Sequence, residues 1–437
     1  MMIRVGAIEK ALARSMRVLS NNIVDPEGRT MIIDAQPAFV RAFFSFFRDR
    51  LSKPQFAHLW SLLLAWVVNV QRSAVLHLAA RLPDGVHRTS HGRFLTQADW
   101  DAAGLLNEAV HEELRRMRPR RGEYIDFILD DHRIAKRGRK MFGLSKIWDH
   151  KNQQFVHGHI VVTAAILFRG VVFPWRFELW LPKSCGARGY RKTTQIAAEL
   201  IAAFEPPTGL RVRVLFDAFF LCPTVTKSCE RRGFSWFSVA SRNRALRRES
   251  GYWQRIADLP GVLKYAGRLV RMPRARGTAT LRIAPVDGEL VRIGRVRLVL
   301  SKRPGDRWKN IVAFATNDLR LDARTIVSIY ERRWRIEVLF KELEGDLGLG
   351  DYQVLTHRGI VHHLHLAGLV HLLLTHHGLD AVGAQARKVN REVALPSLSR
   401  RLDDLRAALR RDQLERMLRH EDDPRLRRKL ENYLMAA

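Results

Sequence analysis

The stretch FVHGHIVVTAAILFRGVVFPWRFELWL, residues 155–181, is dense in Val, Ile, Phe and Trp. It reads as two buried strands, Phe155 to Phe168 and Gly170 to Leu181, joined at Arg169-Gly170. YIDFILDD, beginning at Tyr124, is a shorter apolar run of the same type and ends on Asp130 and Asp131. Thr193 to Phe204 has apolar residues at helical spacing and is stopped by Pro206-Pro207. RVRVLF, residues 211–216, is another strand and ends on Asp217. Pro223 to Arg232 is a short helix closed by Gly233, and Ser235 to Ala240 is a fifth strand. The order β-β-β-α-β-α-β begins with antiparallel strands and continues with helix-linked crossovers. The expectation is an α/β fold in which helices cover a mixed sheet.

Upstream of Tyr124 the chain reads as helical. Ala38 to Asp49 and Phe56 to Leu82 carry apolar residues at helical spacing, and Pro37 and Pro54 stand where helix starts tolerate them. HRTSHGRFLTQADW reads as a polar loop with Thr96 as N-cap, followed by a helix from Asp99 to Met117. Downstream, Asn243 to Leu321 alternates apolar and polar residues, with turn signals at Asp287-Gly288 and Pro304-Gly305. It reads as an antiparallel insertion. A His-studded apolar helix, Gly359 to Thr375, and a charged helical tail from Ala384 complete the chain.

Lys and Arg total 75 against 44 acids, for a net charge of +31 over 437 residues. Such a charge favours a polyanion partner, and nucleic acid fits best. Cys185, Cys222 and Cys229 form no C-x-x-C pair, which points to a reducing compartment without a disulfide framework. The N-terminus has no apolar signal core, and the run from Leu59 to Val70 falls short of the roughly 20 residues that span a bilayer. A cytoplasmic, soluble protein with no membrane partner is expected. His362, His363, His365, His371, His376 and His377 lack a clean i,i+4 spacing with a carboxylate, so a packed helix explains them better than a zinc site.

YERRWRIEVLFKELEGDL, Tyr330 to Leu347, carries the chemistry. On a helix, Tyr330, Arg333, Glu337, Lys341 and Glu344 fall on one face, and Ile336, Leu339, Phe340, Leu343 and Leu347 on another. The polar face offers an aromatic, a guanidinium, carboxylates and an ammonium, the set that phosphodiester chemistry uses. Asp130-Asp131 and Asp217 stand at strand ends, where α/β sheets collect functional groups. Hard ions such as Mg²⁺ take oxygen ligands, and two of them about 3.5–4 Å apart can activate a nucleophile and stabilise a leaving oxygen. Taken singly, these residues also suit turns and solvated helix faces. The reading rests on the ordered set.

That set resembles a bacterial insertion-sequence transposase of the DDE type, close to the IS4 group and its relatives. LDDHRIAKRGRKMFG is similar to the group's first-Asp motif, with Lys136 and Gly138 in its Lys-x-Gly part. RVRVLFDAFF followed by RRGFSWFSVASRN resembles the second-Asp motif, and YERRWRIEVLFKELE resembles the Y-x2-R-x3-E-x6-K signature. Tyr330, Arg333 and Glu337 match this signature, whereas Glu344 stands where the final Lys belongs, leaving Lys341 one turn earlier as the substitute. The resemblance implies an RNase H-like catalytic domain with a β insertion before the Glu. It implies Asp130, Asp217 and Glu337 as the catalytic, metal-binding triad, with Asp131 as the alternative to Asp130. Tyr330 and Arg333, with Lys341, would contact DNA.

The cofactor expected is Mg²⁺, two ions, with Mn²⁺ able to substitute. The expected partners are double-stranded DNA, terminal inverted repeats, target DNA and a second copy of the chain. The expected activity is cleavage that frees 3′-OH ends and joins them to target DNA. The alternatives are a non-catalytic DNA-binding protein of transposase ancestry and a metal-dependent DNA nuclease. The domains expected are a helical DNA-binding segment over 1–121, the first part of the core over 122–242, the β insertion over 243–322, the second part of the core over 323–378 and a helical basic tail over 379–437.

Overall fold

A computed structural model describes residues 37–69, 73–79, 87–149, 152–186, 190–248, 251–273, 277–307, 310–388 and 391–419. The N-terminal stretch before residue 37 and the tail segment RLRRKLENYL lie outside the described residues. The described chain forms two compact units. One comprises residues 37–105, 343–381 and 395–419, and the other residues 106–342 and 382–394.

The first unit is helical. Lys53–Val68 opens with a capping box in which the Ser52 side chain and Gln55 satisfy each other's backbone N–H groups, with Pro54 in the first turn. Leu59, Leu62, Leu63, Trp66 and Val67 from this helix are buried. The expected run to Leu82 is interrupted at Asn69, whose backbone is extended; Val75–Ala79 is helical again, and residues 80–82 lie outside the described residues. Arg406 accounts for the stop, since its guanidinium donates to the carbonyls of Val67 and Asn69 at that end. HRTSHGRFLTQADW is not a loop, because Arg88–Thr96 is helical. Thr96 ends that helix, its Oγ1 donating back to the Gly92 carbonyl. The following helix, Ala102–Arg116, takes Asp101 as its cap, with Asp101 Oδ1 accepting from Gly104 N at 2.8 Å.

The long helix His357–Val382 is buried on nearly every side. Its buried histidines act as packing groups. His362 bonds the carbonyls of Leu95 and Trp100, and His376 packs edge-on against Phe43 at 5.3 Å. No helix among the described residues is long and apolar enough to cross a membrane.

The second unit is built on a single mixed sheet flanked by helices. Its strands are β1 (Tyr124–Ala135), β2 (Ser145–Asp149), β3 (Gln154–Phe168), β4 (Val171–Trp180), β5 (Arg211–Phe216), β6 (Ser235–Ala240), β7 (Ala245–Arg247), β8 (Trp253–Arg255), β9 (Arg268–Pro273), β10 (Thr278–Leu290), β11 (Gly294–Lys302) and β12 (Val312–Thr316). Their order is β2-β3-β1-β5-β6-β12-β11-β10-β7-β8, with β4 on β3 and β9 on β10. β1–β5 and β5–β6 are parallel, as the helical crossovers Thr193–Ala203 and Pro223–Arg231 require. The rest of the sheet is antiparallel, including the whole insertion from β7 to β11. This is the expected α/β architecture, consistent with an RNase H-like fold carrying an antiparallel insertion.

Two local readings change. The β10–β11 turn is not at Asp287-Gly288, which lies within β10, but at residues 291–293, where Arg292 takes φ 65°. Asp287 instead faces Arg297 across the ladder and accepts from both Nε and Nη2 of its guanidinium. Gly288 is required there because a Cβ would sit 2.7 Å from the Arg247 carbonyl of β7. β1 also runs on past its apolar stretch to Ala135, because β3 keeps pairing with it.

The two faces of β1 differ in kind. Phe127 stacks on Phe204 at 4.6 Å and meets Trp175 edge-on at 5.2 Å, an aromatic core on the side of the Thr193–Ala203 helix. Asp126 and Asp130, four residues apart and so in step with each other, take the alternate face. There they meet the segment that carries Tyr330 and Glu337.

Candidate active site

Parallel pairing of β1 with β5 ends at Leu129↔Phe216. Asp130 and Asp217 are the next residues on the two strands, so the register brings them side by side. The Asp217 carboxylate closes the turn after β5, with Oδ1 accepting from Phe219 N at 3.0 Å and Phe220 N at 3.2 Å. Its backbone carbonyl accepts from Ser238 Oγ at 2.9 Å, which ties it to β6.

The Tyr330–Leu347 segment is not one continuous helix. Ala323–Glu331 ends, Arg332 and Arg333 form a tightened turn, and Trp334–Gly345 begins. Arg333 N bonds Tyr330 O at 2.9 Å and Ile336 N bonds Arg333 O at 3.0 Å, an i→i−3 pattern. The break has a cause in side-chain pairing: Arg332 Nε donates to Asp126 Oδ2 at 2.6 Å and Arg333 Nη1 to Asp130 Oδ2 at 2.7 Å. The expected single polar face survives in part. Arg333 also pairs with Glu337 four residues on, and its guanidinium lies 5.9 Å from the Tyr330 ring. Phe340, on the buried side of the second helix, stacks on His132 of β1 at 4.5 Å. Lys341 and Glu344 are exposed.

Arg333 therefore joins Asp130 to Glu337. The electrostatics show how crowded this corner is. Burial raises the Asp130 carboxyl to about 6; Arg333 opposes the rise, while the Asp217 and Asp131 charges add to it. Burial likewise raises Asp131, which pairs with Arg133 at 3.8 Å and also feels Asp217. The Tyr330 phenol is pushed up to about 12 by burial, against the pull of Arg333 and with Asp217 and Asp130 adding to the push.

The donor set fits a hard divalent cation in its chemistry: carboxylate oxygens from β1, β5 and the Glu337 helix, carrying more negative charge than one guanidinium offsets. The hydroxyl of Thr163, the β3 partner of Asp130, is also buried there without a hydrogen bond. In the arrangement described, Arg333 stands between Asp130 and Glu337. Among the described residues no group of three or more His, Cys, Asp or Glu side chains is set to hold a metal ion.

Asp126 and its two arginines were missed in the sequence. A carboxylate flanked by Ile125 and Phe127 in an apolar strand must find cations when buried, and that was the available signal.

A pH effect follows from Asp130. Its carboxyl binds a proton more readily folded, at about 6, than at the ordinary 3.8 of the unfolded chain. The charged form therefore costs stability, and that cost sets in as pH rises from about 4 through 6. Asp130→Asn is expected to raise the melting temperature of the metal-free protein most at pH 7–8. The gain should shrink as pH falls through about 6. A gap between variant and wild type that scanning calorimetry finds constant from pH 4 to 8 would refute this account of Asp130.

Residues 47–255 match the model described as DDE superfamily endonuclease. The matched span contains Asp130, Asp131 and Asp217 and ends before Tyr330, Arg333, Glu337 and Lys341. No curated protein matches the chain.

Proposed function

We propose that the protein is a DNA transposase of the DDE type, akin to the IS4 group, that cleaves the ends of an insertion sequence and joins them to target DNA. The observation that carries this reading is the link through Arg333 between Asp130, beside Asp217 in the strand register, and Glu337 on the far side of the insertion. The endonuclease match over residues 47–255 supports the nuclease part, and the net charge of +31 supports a DNA substrate.

Asp130, Asp217 and Glu337 are the residues that would hold Mg²⁺, or Mn²⁺ in its place. We prefer Asp130 to Asp131 because it shares Arg333 with Glu337. When bound, two divalent ions supply charge neutralisation at the phosphodiester and lower the pKa of the attacking hydroxyl. The chain's own residues orient the strand. Arg333 moves its guanidinium from carboxylate to phosphate, Tyr330 offers a ring edge beside it, and exposed Lys341 adds a cation further along the helix.

In cleavage, a water oxygen bonds to phosphorus and the bond to the 3′ oxygen breaks, leaving a 3′-OH and a 5′ phosphate. In joining, that 3′ oxygen bonds to a target phosphorus and the target's own 3′ oxygen leaves. Both are in-line displacements, so one site serves both steps. Pairing two ends calls for two copies of the chain, and segment 1–121 and the basic tail 379–437 are proposed to grip DNA outside the site.

The test uses DNA carrying the terminal repeats that flank the protein's own gene, with and without Mg²⁺ or Mn²⁺. Metal-dependent release of 3′-OH ends and their joining to a second duplex is the expected result. Cleavage without joining would favour a nuclease, and tight binding without cleavage a non-catalytic DNA-binding protein. Either would overturn the transposase reading.

A further inference from the structure

β1 carries two aspartates on the same face, four residues apart, in contrasting states. Asp126 is fully buried, and each of its oxygens receives a guanidinium: Arg213 Nε on Oδ1 at 2.5 Å and Arg332 Nε on Oδ2 at 2.6 Å. Asp130 has one guanidinium and two nearby carboxylates. A carboxylate with both oxygens bonded to arginines and no solvent access is closed to a substrate. Its task is mechanical.

The register gives that task a purpose. Asp126 pairs with Arg213 between β1 and β5, and the same register carried four residues further sets Asp130 beside Asp217. Two successive arginines, Arg332 and Arg333, reach these two points of the strand, roughly 13 Å apart at about 3.3 Å per residue. One attachment would let the helix junction pivot; two fix its direction as well as its position. Glu337 begins one turn beyond the second attachment. The tightened turn at Arg332-Arg333 is the local trace of this arrangement, because consecutive side chains diverge to separate anchors.

We infer that Asp126, with Arg213 and Arg332, is a positioning site that sets the Glu337 helix against the strand pair bearing Asp130 and Asp217. This inference rests on the reading of that corner as the active site. Arg332 also reaches Glu392 at 3.5 Å, but Glu392 is mostly exposed, so that arm is the weaker one.

The variants are Arg332→Gln, Arg332→Lys, Asp126→Asn and, as control, Glu392→Gln. Arg332 is partly exposed and Asp126 keeps Arg213 when it is lost, so Arg332→Gln keeps the test open if Asp126→Asn fails to fold. Two readouts are taken on the full chain: kcat and KM for metal-dependent cleavage of terminal-repeat DNA, and amide hydrogen exchange. In Arg332→Gln, kcat is expected to fall about tenfold or more with KM unchanged, the scale seen when a ligand's supporting partner is removed. Arg332→Lys should recover part of that loss, and Glu392→Gln should match wild type. Exchange should quicken about tenfold or more across residues 332–337 while β1 and β5 stay protected. Unchanged exchange in that segment, or kcat and KM falling together as the whole fold loosens, would overturn the inference. If wild type itself does not cleave, the transposase reading fails, and the exchange result still decides whether Asp126 anchors the helix.

Discussion

Glu337→Gln is expected to abolish metal-dependent cleavage and joining while the protein still binds the ends of its element. Gln keeps the size of the side chain and removes the charge a divalent cation needs. Loss of groups that merely support metal ligands costs about 10–100-fold, so loss of a ligand itself is expected to cost at least about 100-fold in rate. The fold should survive, because Arg333 keeps Asp130 when its partner on the helix is neutralised, and Ile336 and Leu339 still anchor the helix. Quantifying released 3′-OH ends and joined product, with end binding measured in parallel by fluorescence anisotropy, checks this. Retained cleavage in Glu337→Gln would remove that residue from the site.

Arg169→Ala is expected to be the most damaging single change to stability. Arg169 sits at the β3–β4 hairpin with φ 46°, followed by Gly170 at 83°, the pair of positive values that a tight two-residue hairpin needs. Its guanidinium bonds Glu123 Oε1 at 3.0 Å and Oε2 at 2.7 Å and the carbonyls of Met117 at 2.8 Å, Arg118 at 3.3 Å and Ala386 at 2.9 Å. Both charged side chains are almost wholly buried. Removing the cation leaves a buried carboxylate with no counter-charge, held by the Arg120 N–H at 2.7 Å, and takes a donor from three carbonyls, a loss of about 3–5 kcal/mol. Replacing both members, as in Glu123→Gln with Arg169→Met, should cost clearly less, since no uncompensated charge remains. Urea unfolding of the two variants checks the order; equal losses would show that the ion pair is not what holds the hairpin.

The elements most legible in the sequence were those whose residues answer to local rules. Apolar β-rich runs gave β1, β3, β4, β5 and β6 in order, Arg169-Gly170 gave its turn, and Pro54 marked a helix start. What was hidden depended on partners distant in sequence. Nothing near Asn69 announces that Arg406 will end its helix. SKIWD, residues 145–149, is too short to declare itself a strand until Gln154–Gly158 folds back on it. HRTSHGRFLTQADW looked like a loop because its residues favour turns, and His91, Phe94 and Leu95 became helical by being buried.

The site divides in the same way. Asp217 stands out as a carboxylate after a strand and Glu337 as one on an amphipathic segment, whereas Asp130 marks the end of an apolar run and not of β1, which continues to Ala135. That Arg332 and Arg333 would part company, one to Asp126 and one to Asp130, requires the strand register, which no local pattern encodes. The amphipathic reading of Tyr330 to Leu347 treated both arginines as parts of one helix, and the break between them is where the sheet intervenes.

Asp130, Asp217 and Glu337 are proposed to take divalent cations together once Arg333 turns from carboxylate to DNA. The direct measurement is a structure of the protein with terminal-repeat DNA and Mn²⁺, the ions located by their anomalous scattering. Mn²⁺ is expected on all three carboxylates, with the Arg333 guanidinium off Asp130 and on a phosphate. Mn²⁺ held elsewhere, with Arg333 still bridging Asp130 and Glu337 beside the bound DNA, would contradict it.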